Sequence, residues 1–248
     1  MSKLGGSRVG IQEPVLQIPD FSAIPENVRD YALHVTQNAA DIARRNIKSY
    51  VNELLGSYLA AVGKDIVIFF NSGGMGWNLT EDTPQWGTIL DGIQSRLEQL
   101  GYKTIMLNYC RTGEGLKASI KEIFEAARRY PNKTKDLARR ILFLLDNISG
   151  LKVIIAGEST GTVISEKTMR VFKNNKNVYS IQTGIPFWHT PEVTERTLSM
   201  NDNGIQLDTF HYGQVRAILW ATAKSWFGRK GNPGTILSWL KAPGHDYS

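Results

Sequence analysis

The stretch Leu151-Lys152-Val153-Ile154-Ile155-Ala156-Gly157-Glu158-Ser159-Thr160-Gly161 decides the fold. Its first six residues are apolar except Lys152, the pattern of a strand buried on both faces of a parallel sheet. Gly157, Ser159 and Gly161 then fall in a G-x-S-x-G spacing, and Thr162–Lys173 has helical periodicity. Such a strand–turn–helix has a chemical consequence. A Ser on a sharp turn projects its hydroxyl beyond the strand end, and small flanking residues let helix and strand approach closely. The Thr160 N–H, at the start of the helix, then faces negative charge developing beside Ser159.

Outward from this unit the same alternation repeats. Asp65–Phe70 is an almost wholly apolar, β-branched and aromatic run ending in Asn71-Ser72-Gly73-Gly74-Met75-Gly76. Lys103–Tyr109, Val178–Gly184 and the short Arg196–Met200 are further strands. Leu90–Leu100, Leu116–Tyr130, Thr134–Asn147, Gln214–Phe227 and Thr235–Leu240 carry helical spacing, with Pro131 splitting two of them. The order predicts an α/β fold: a mostly parallel sheet of about five or more strands, flanked by helices in three layers. Residues 1–25, with Gly5-Gly6, Pro14, Pro19 and Pro25, read as an irregular surface arm, and residues 26–248 as one domain. Its first part, 26–62, reads as an extra helical segment packed on the sheet, one long helix or two joined near Asn46.

The 248 residues are 42% hydrophobic and 21% charged, which excludes collagen-like and disordered classes. A single Cys, Cys110, excludes a disulfide framework and a Cys-based zinc site, and core packing is its expected role. No apolar run approaches a membrane span, and the first residues lack the apolar stretch of a signal peptide, so a cytoplasmic location is expected. The net charge is +6, but the pairs Arg44-Arg45, Arg128-Arg129 and Arg139-Arg140 lie on helix-like segments without a nucleic-acid motif. Nucleic acid is therefore not an expected partner. Trp220, Trp226 and Phe227 share helical spacing with Val215, Ile218, Leu219 and Ala223, flanked by Lys224, Arg229 and Lys230. In an α/β fold such a helix is expected to pack on the sheet; a membrane surface is the alternative.

Over residues 64–248 the sequence resembles the α/β-hydrolase superfamily of serine esterases and lipases. The resemblance implies a Ser nucleophile after the third buried strand, an acid after a later strand and a His near the C-terminus, an order this chain offers. Ser159 takes the first place. His245, in Ala242-Pro243-Gly244-His245-Asp246-Tyr247, takes the last in preference to His211, which lies too close to the acids. The family usually continues with a helix here, whereas this sequence stops after three more residues. Asp208 and Asp202 both qualify as the acid, with Gly204-Ile205-Gln206-Leu207-Asp208 the better fit. Ser72–Gly76 occupies the place of the family's oxyanion loop, with Ser where the family has His; Gly74 or Met75 would join Thr160 as donors. Glu158, Trp77, Trp188 and His189 are placed near the substrate.

The function so implied is hydrolysis of a carboxylic ester or related small acyl compound, with no metal or organic cofactor. The alternative is a non-catalytic α/β-hydrolase-like binding or scaffold protein, peripheral at membranes. Whether His245 reaches Ser159 separates the two.

Overall fold

A computed structural model describes residues 21–37, 47–74, 76, 84–111, 116–192, 195–227, 235–237 and 240–247. Ile66–Asn71 (β1), Thr104–Asn108 (β2), Lys152–Glu158 (β3), Val178–Thr183 (β4) and Thr197–Met200 (β5) form one sheet in the order β2-β1-β3-β4-β5. Every neighbouring pair is parallel. From β1 the chain steps outward to β2, then returns to β3 on β1's other side. β1 and β3 therefore flank a topological switch point, the position outside whose C-terminal strand ends open α/β sheets bind ligands.

Side chains alternate across β1. Ile66, Ile68 and Phe70 face Trp86 and Leu90 of Pro84–Gln99 (α3) on one side of the sheet. Val67 and Phe69 face the opposite side, joining Val153, Ile155 and Val178 in the larger core. Helices Glu26–Gln37 (α1), Ile47–Ala61 (α2), Leu116–Ala127 (α4), Pro131–Asn147 (α5) and Thr160–Val171 (α6) precede or alternate with the strands. Among these, α1, α2, α5 and α6 contribute Ala32, Leu54, Leu137 and Val163 to that larger core. The result is the expected three-layer α/β architecture.

Several elements depart from the sequence expectations. The arm's last residues are ordered on the surface with one anchor: Phe21–Ala23 forms a 3-10 turn, Ser22, Ala23 and Pro25 are exposed, and Ile24 is buried in the core. Residues 1–20, like the junction at 38–46, lie outside the described residues. Pro131 does not merely split two helices but opens α5, three residues before the expected start. Its fixed φ and missing N–H suit the first helical position, and Tyr130 makes the turn in the left-handed region (φ 57°).

The expected helix at 235–240 is instead a small antiparallel pair, Thr235–Leu237 (β6) and Leu240–Lys241 (β7). Six residues cannot distinguish helical from strand periodicity, and the β-branched Thr235 and Ile236 favour the extended form. Helix Val215–Trp226 (α7) packs on β7 rather than on the five-stranded sheet. Cys110 is exposed, not in the core, because β2 ends at Asn108 and the chain has already left the sheet. No helix among the described residues is long and apolar enough to cross a membrane.

Candidate active site

The turn between β3 and α6 places Ser159 at φ 49°, ψ −120°, a positive φ that a residue with a Cβ rarely adopts. Close packing from both sides holds that backbone. The Ser159 N–H donates to the Thr183 carbonyl at the end of β4 (2.9 Å), and Thr162 N–H and Oγ1 both donate to the Ser159 carbonyl. The flanking glycines are sterically required. A Cβ on Gly157 would lie 2.6 Å from Ser165 Oγ, and one on Gly161 would lie 2.1 Å from the Asn71 carbonyl oxygen. Ser159 itself is 3% exposed, and its hydroxyl has no hydrogen-bond partner among the described residues.

His245 and Asp208 meet although 37 positions separate them. His245 Nδ1 lies 2.7 Å from Asp208 Oδ2, with both side chains buried. The Asp208 Oδ1 atom accepts the N–H groups of Phe210 and His211, fixing the carboxylate's plane. Burial pushes the Asp208 carboxyl up, but bonds from His245, Tyr247 and His211 outweigh it and hold it below the usual carboxylate range. Asp202, the other acid weighed from sequence, is exposed and closes a turn by accepting Gly204 N–H.

The imidazole of His245 lies against Gly184, directly after β4: a Cβ there would come within 2.6 Å of His245 Cε1. Phe210 and Tyr247 meet the ring edge-on at centroid distances of 5.1 and 5.9 Å. These contacts hold the loop that precedes the end of the chain. His211 serves elsewhere, its Nδ1 2.6 Å from the Ile185 carbonyl.

The loop after β1 is locked to the Ser159 turn. Asn71 Nδ2 donates to the Gly161 carbonyl (2.9 Å), and Gly73 N–H donates to Glu158 Oε2 (3.0 Å). A Cβ on Gly73 would be 3.0 Å from Ser159 Cβ. Gly74 has φ 53°, and its carbonyl accepts Thr160 Oγ1–H at 2.9 Å. Thr160 opens α6, so its own N–H lacks an intrahelical acceptor. Met75 and Trp77 lie outside the described residues. Burial pushes the Glu158 carboxyl up; the Gly73 N–H, His245 and Arg111 act in the opposite direction without cancelling it.

Sequence reasoning missed the residue that organises this loop. Arg111 is buried, and its guanidinium reaches Asn71 Oδ1 (3.0 Å), the Ser72 carbonyl, the Gly74 carbonyl (2.8 Å) and Thr160 Oγ1 (3.0 Å). Glu122 balances the charge at 2.8 Å. A Cβ on Gly76 would lie 2.3 Å from Arg111 Cζ, so this glycine makes room for the guanidinium. Arg111 was visible only as a cation in a loop after a buried strand. Tyr247, the other omission, stood within the quoted His loop.

Trp188 packs against the main core, and His189 Nε2 pairs with Glu166 Oε2 of α6 at 3.2 Å. Glu166 also binds Arg170, which reaches Glu192. Among the described residues no group of three or more His, Cys, Asp or Glu is placed to hold a metal ion.

No protein-family model matches the chain, and no curated protein does. Among solved structures, the chain is similar to Trichoderma reesei cutinase in complex with a C11Y4 phosphonate inhibitor. The two share 13% identity over 75% of this chain and 86% of that one, with a TM-score of 0.41.

Proposed function

We propose that the protein is a serine hydrolase that cleaves a carboxylic ester or related acyl substrate. The observation that carries this reading is the buried Asp208–His245 pair beside the turn that holds Ser159 at positive φ. A proton on Nδ1, facing the carboxylate, leaves Nε2 with its lone pair free to act as a base. In this mechanism Ser159 Oγ attacks the carbonyl carbon and its proton passes to His245 Nε2. The N–H groups of Thr160 and Gly74 or Met75 receive the oxyanion. His245 returns the proton to the departing alcohol, and water then repeats the sequence on the acyl-enzyme. Ser159 Oγ makes no hydrogen bond among the described residues; catalytic hydrogen bonds to a nucleophile often tighten only in the substrate complex.

Short p-nitrophenyl esters test the reading. Wild type is expected to release nitrophenol, with rates reduced by about 10³-fold or more in Ser159→Ala and in His245→Ala. The unpartnered Ser159 hydroxyl also supports a second reading, a non-catalytic binding protein of the same fold. Turnover in wild type that neither substitution changes would favour it, as would the absence of turnover.

A further inference from the structure

The outward face of α7 is more apolar than its inward face. Inward it buries Ile218 and Thr222, the first against Phe210, Ala242 and Leu240. Outward it presents Leu219, Trp220, Trp226 and, at its C-cap, Phe227, which are 60%, 63%, 69% and 84% exposed. A surface helix of a water-soluble fold ordinarily shows the reverse arrangement, and a continuous exposed patch of large apolar side chains marks an interaction site.

The charge around this face selects the partner. Arg216 and Lys224 lie on α7 and Lys241 on β7, and the sequence from Thr209 to His245 holds no Asp or Glu. Three of the six Trp, at 220, 226 and 239, fall in the same segment. Arg216 and Lys224 are exposed on α7, and Lys224 Nζ lies 5.0 Å from the centroid of the Trp220 ring. A second copy docked on this face by a two-fold axis would set Arg216 and Lys224 against their own copies, with no acid on α7 to pair them. Bulky exposed aromatics beside two cations, on a helix without an acid, match instead the boundary between lipid headgroups and acyl chains.

We infer that the exposed face of α7 docks the protein on an anionic phospholipid surface, with Leu219, Trp220, Trp226 and Phe227 inserted at the acyl boundary and Arg216 and Lys224 among the phosphates. The docking is independent of the hydrolase reading. What rests on that reading is a consequence: Phe210 shares a small core with Ile218 of α7 and meets the His245 ring edge-on, so a docked protein would bring the His245 side of the site towards lipid-borne acyl groups.

Co-sedimentation with phosphatidylcholine vesicles, with and without phosphatidylglycerol, tests the inference. Wild type and Ser159→Ala are both expected to pellet with the anionic vesicles at low salt and to be released in about 1 M salt, where the Debye length falls to about 3 Å. Arg216→Gln and Lys224→Gln should each weaken binding about 5-fold, the factor for about 1 kcal/mol per cation at such a surface. Trp226→Ser with Phe227→Ser should abolish it, and tryptophan emission of wild type should shift to the blue on binding. Three results would overturn the inference: folded wild type staying in the supernatant, equal binding to both vesicles, or light scattering that shows a dimer dissociated by Trp226→Ser. Because Ser159→Ala keeps the α7 face, a failure of docking is distinguishable from a failure of catalysis.

Discussion

The Tyr247 hydroxyl donates to Asp208 Oδ2 at 2.5 Å, the same oxygen that lies 2.7 Å from His245 Nδ1. One carboxylate oxygen thus holds both the imidazole and the tail that follows it. Tyr247→Phe keeps the ring against His245 and removes only the bond. Loss of a hydrogen bond to a buried charged acceptor is expected to cost about 2 kcal/mol. For a chain of this size that lowers Tm by about 4–8 °C. A melt within about 1 °C of wild type would show that the bond does not hold the tail.

The same substitution has a pH signature. Asp208 is held below its ordinary value, so its contribution to stability is complete above the unfolded-state value of about 3.9 and is lost as pH falls through the folded-state value. Tyr247→Phe removes one of the bonds that lower it, and the folded-state value rises. Acid unfolding followed by tryptophan fluorescence should therefore begin at higher pH in Tyr247→Phe than in wild type.

Glu158 predicts the opposite sign. Burial raises its carboxyl above the ordinary value, so the folded state loses stability as pH rises from the unfolded-state value through the folded-state one. Glu158→Gln removes that loss and keeps an oxygen for the Gly73 N–H. Its Tm should exceed that of wild type at pH 7, and the difference should close near pH 4, below the unfolded-state value of about 4.3. A difference independent of pH would assign Glu158 a packing role only.

Two glycines should respond with opposite signs to the same change. Gly161→Ala drives a Cβ to 2.1 Å from the Asn71 carbonyl oxygen, a backbone atom that cannot swing away, and should cost about 3 kcal/mol or prevent folding. Gly92→Ala, exposed within α3 with nothing within 4 Å of the new Cβ, should stabilise by about 0.5–1 kcal/mol. Urea unfolding of both variants checks the pair.

Arg111→Met leaves Glu122 buried without the guanidinium 2.8 Å away, and about 3–5 kcal/mol of stability should be lost. Arg111→Lys keeps the charge but cannot reach Asn71, Ser72, Gly74 and Thr160 together. It should fold, with a smaller drop in Tm, and lose ester turnover through kcat more than KM. Equal turnover in Arg111→Lys and wild type would separate the β1 loop from catalysis.

The fold was legible where burial on both faces writes itself as an uninterrupted run, as in Ile66–Phe70 and Val153–Ala156. The turn at Ser159 was legible because close approach demands glycine, and the contacts a Cβ would make at Gly157 and Gly161 are that demand in atomic form. What stayed hidden depends on pairs remote in sequence. The Gly204–Asp208 spacing favoured Asp208 over Asp202 only through the resemblance; the physical difference is that one lies beneath His245 while the other closes an exposed turn. Arg111 reaches residues 37 to 49 positions away, a relation no spacing encodes. The direction of α7 was hidden for another reason. Its apolar residues occupy most of its circumference, so periodicity marked a helix but not which side faces the protein.

The central claim is that Asp208 and His245 activate the Ser159 hydroxyl. The most direct measurement is reaction of the intact protein with a fluorophosphonate probe, followed by mass spectrometry of the modified peptide. The predicted result is a single adduct on Ser159, absent in Ser159→Ala and His245→Ala and strongly slowed in Asp208→Asn. Folded wild type that takes up no probe, or labels equally well without His245, would contradict it.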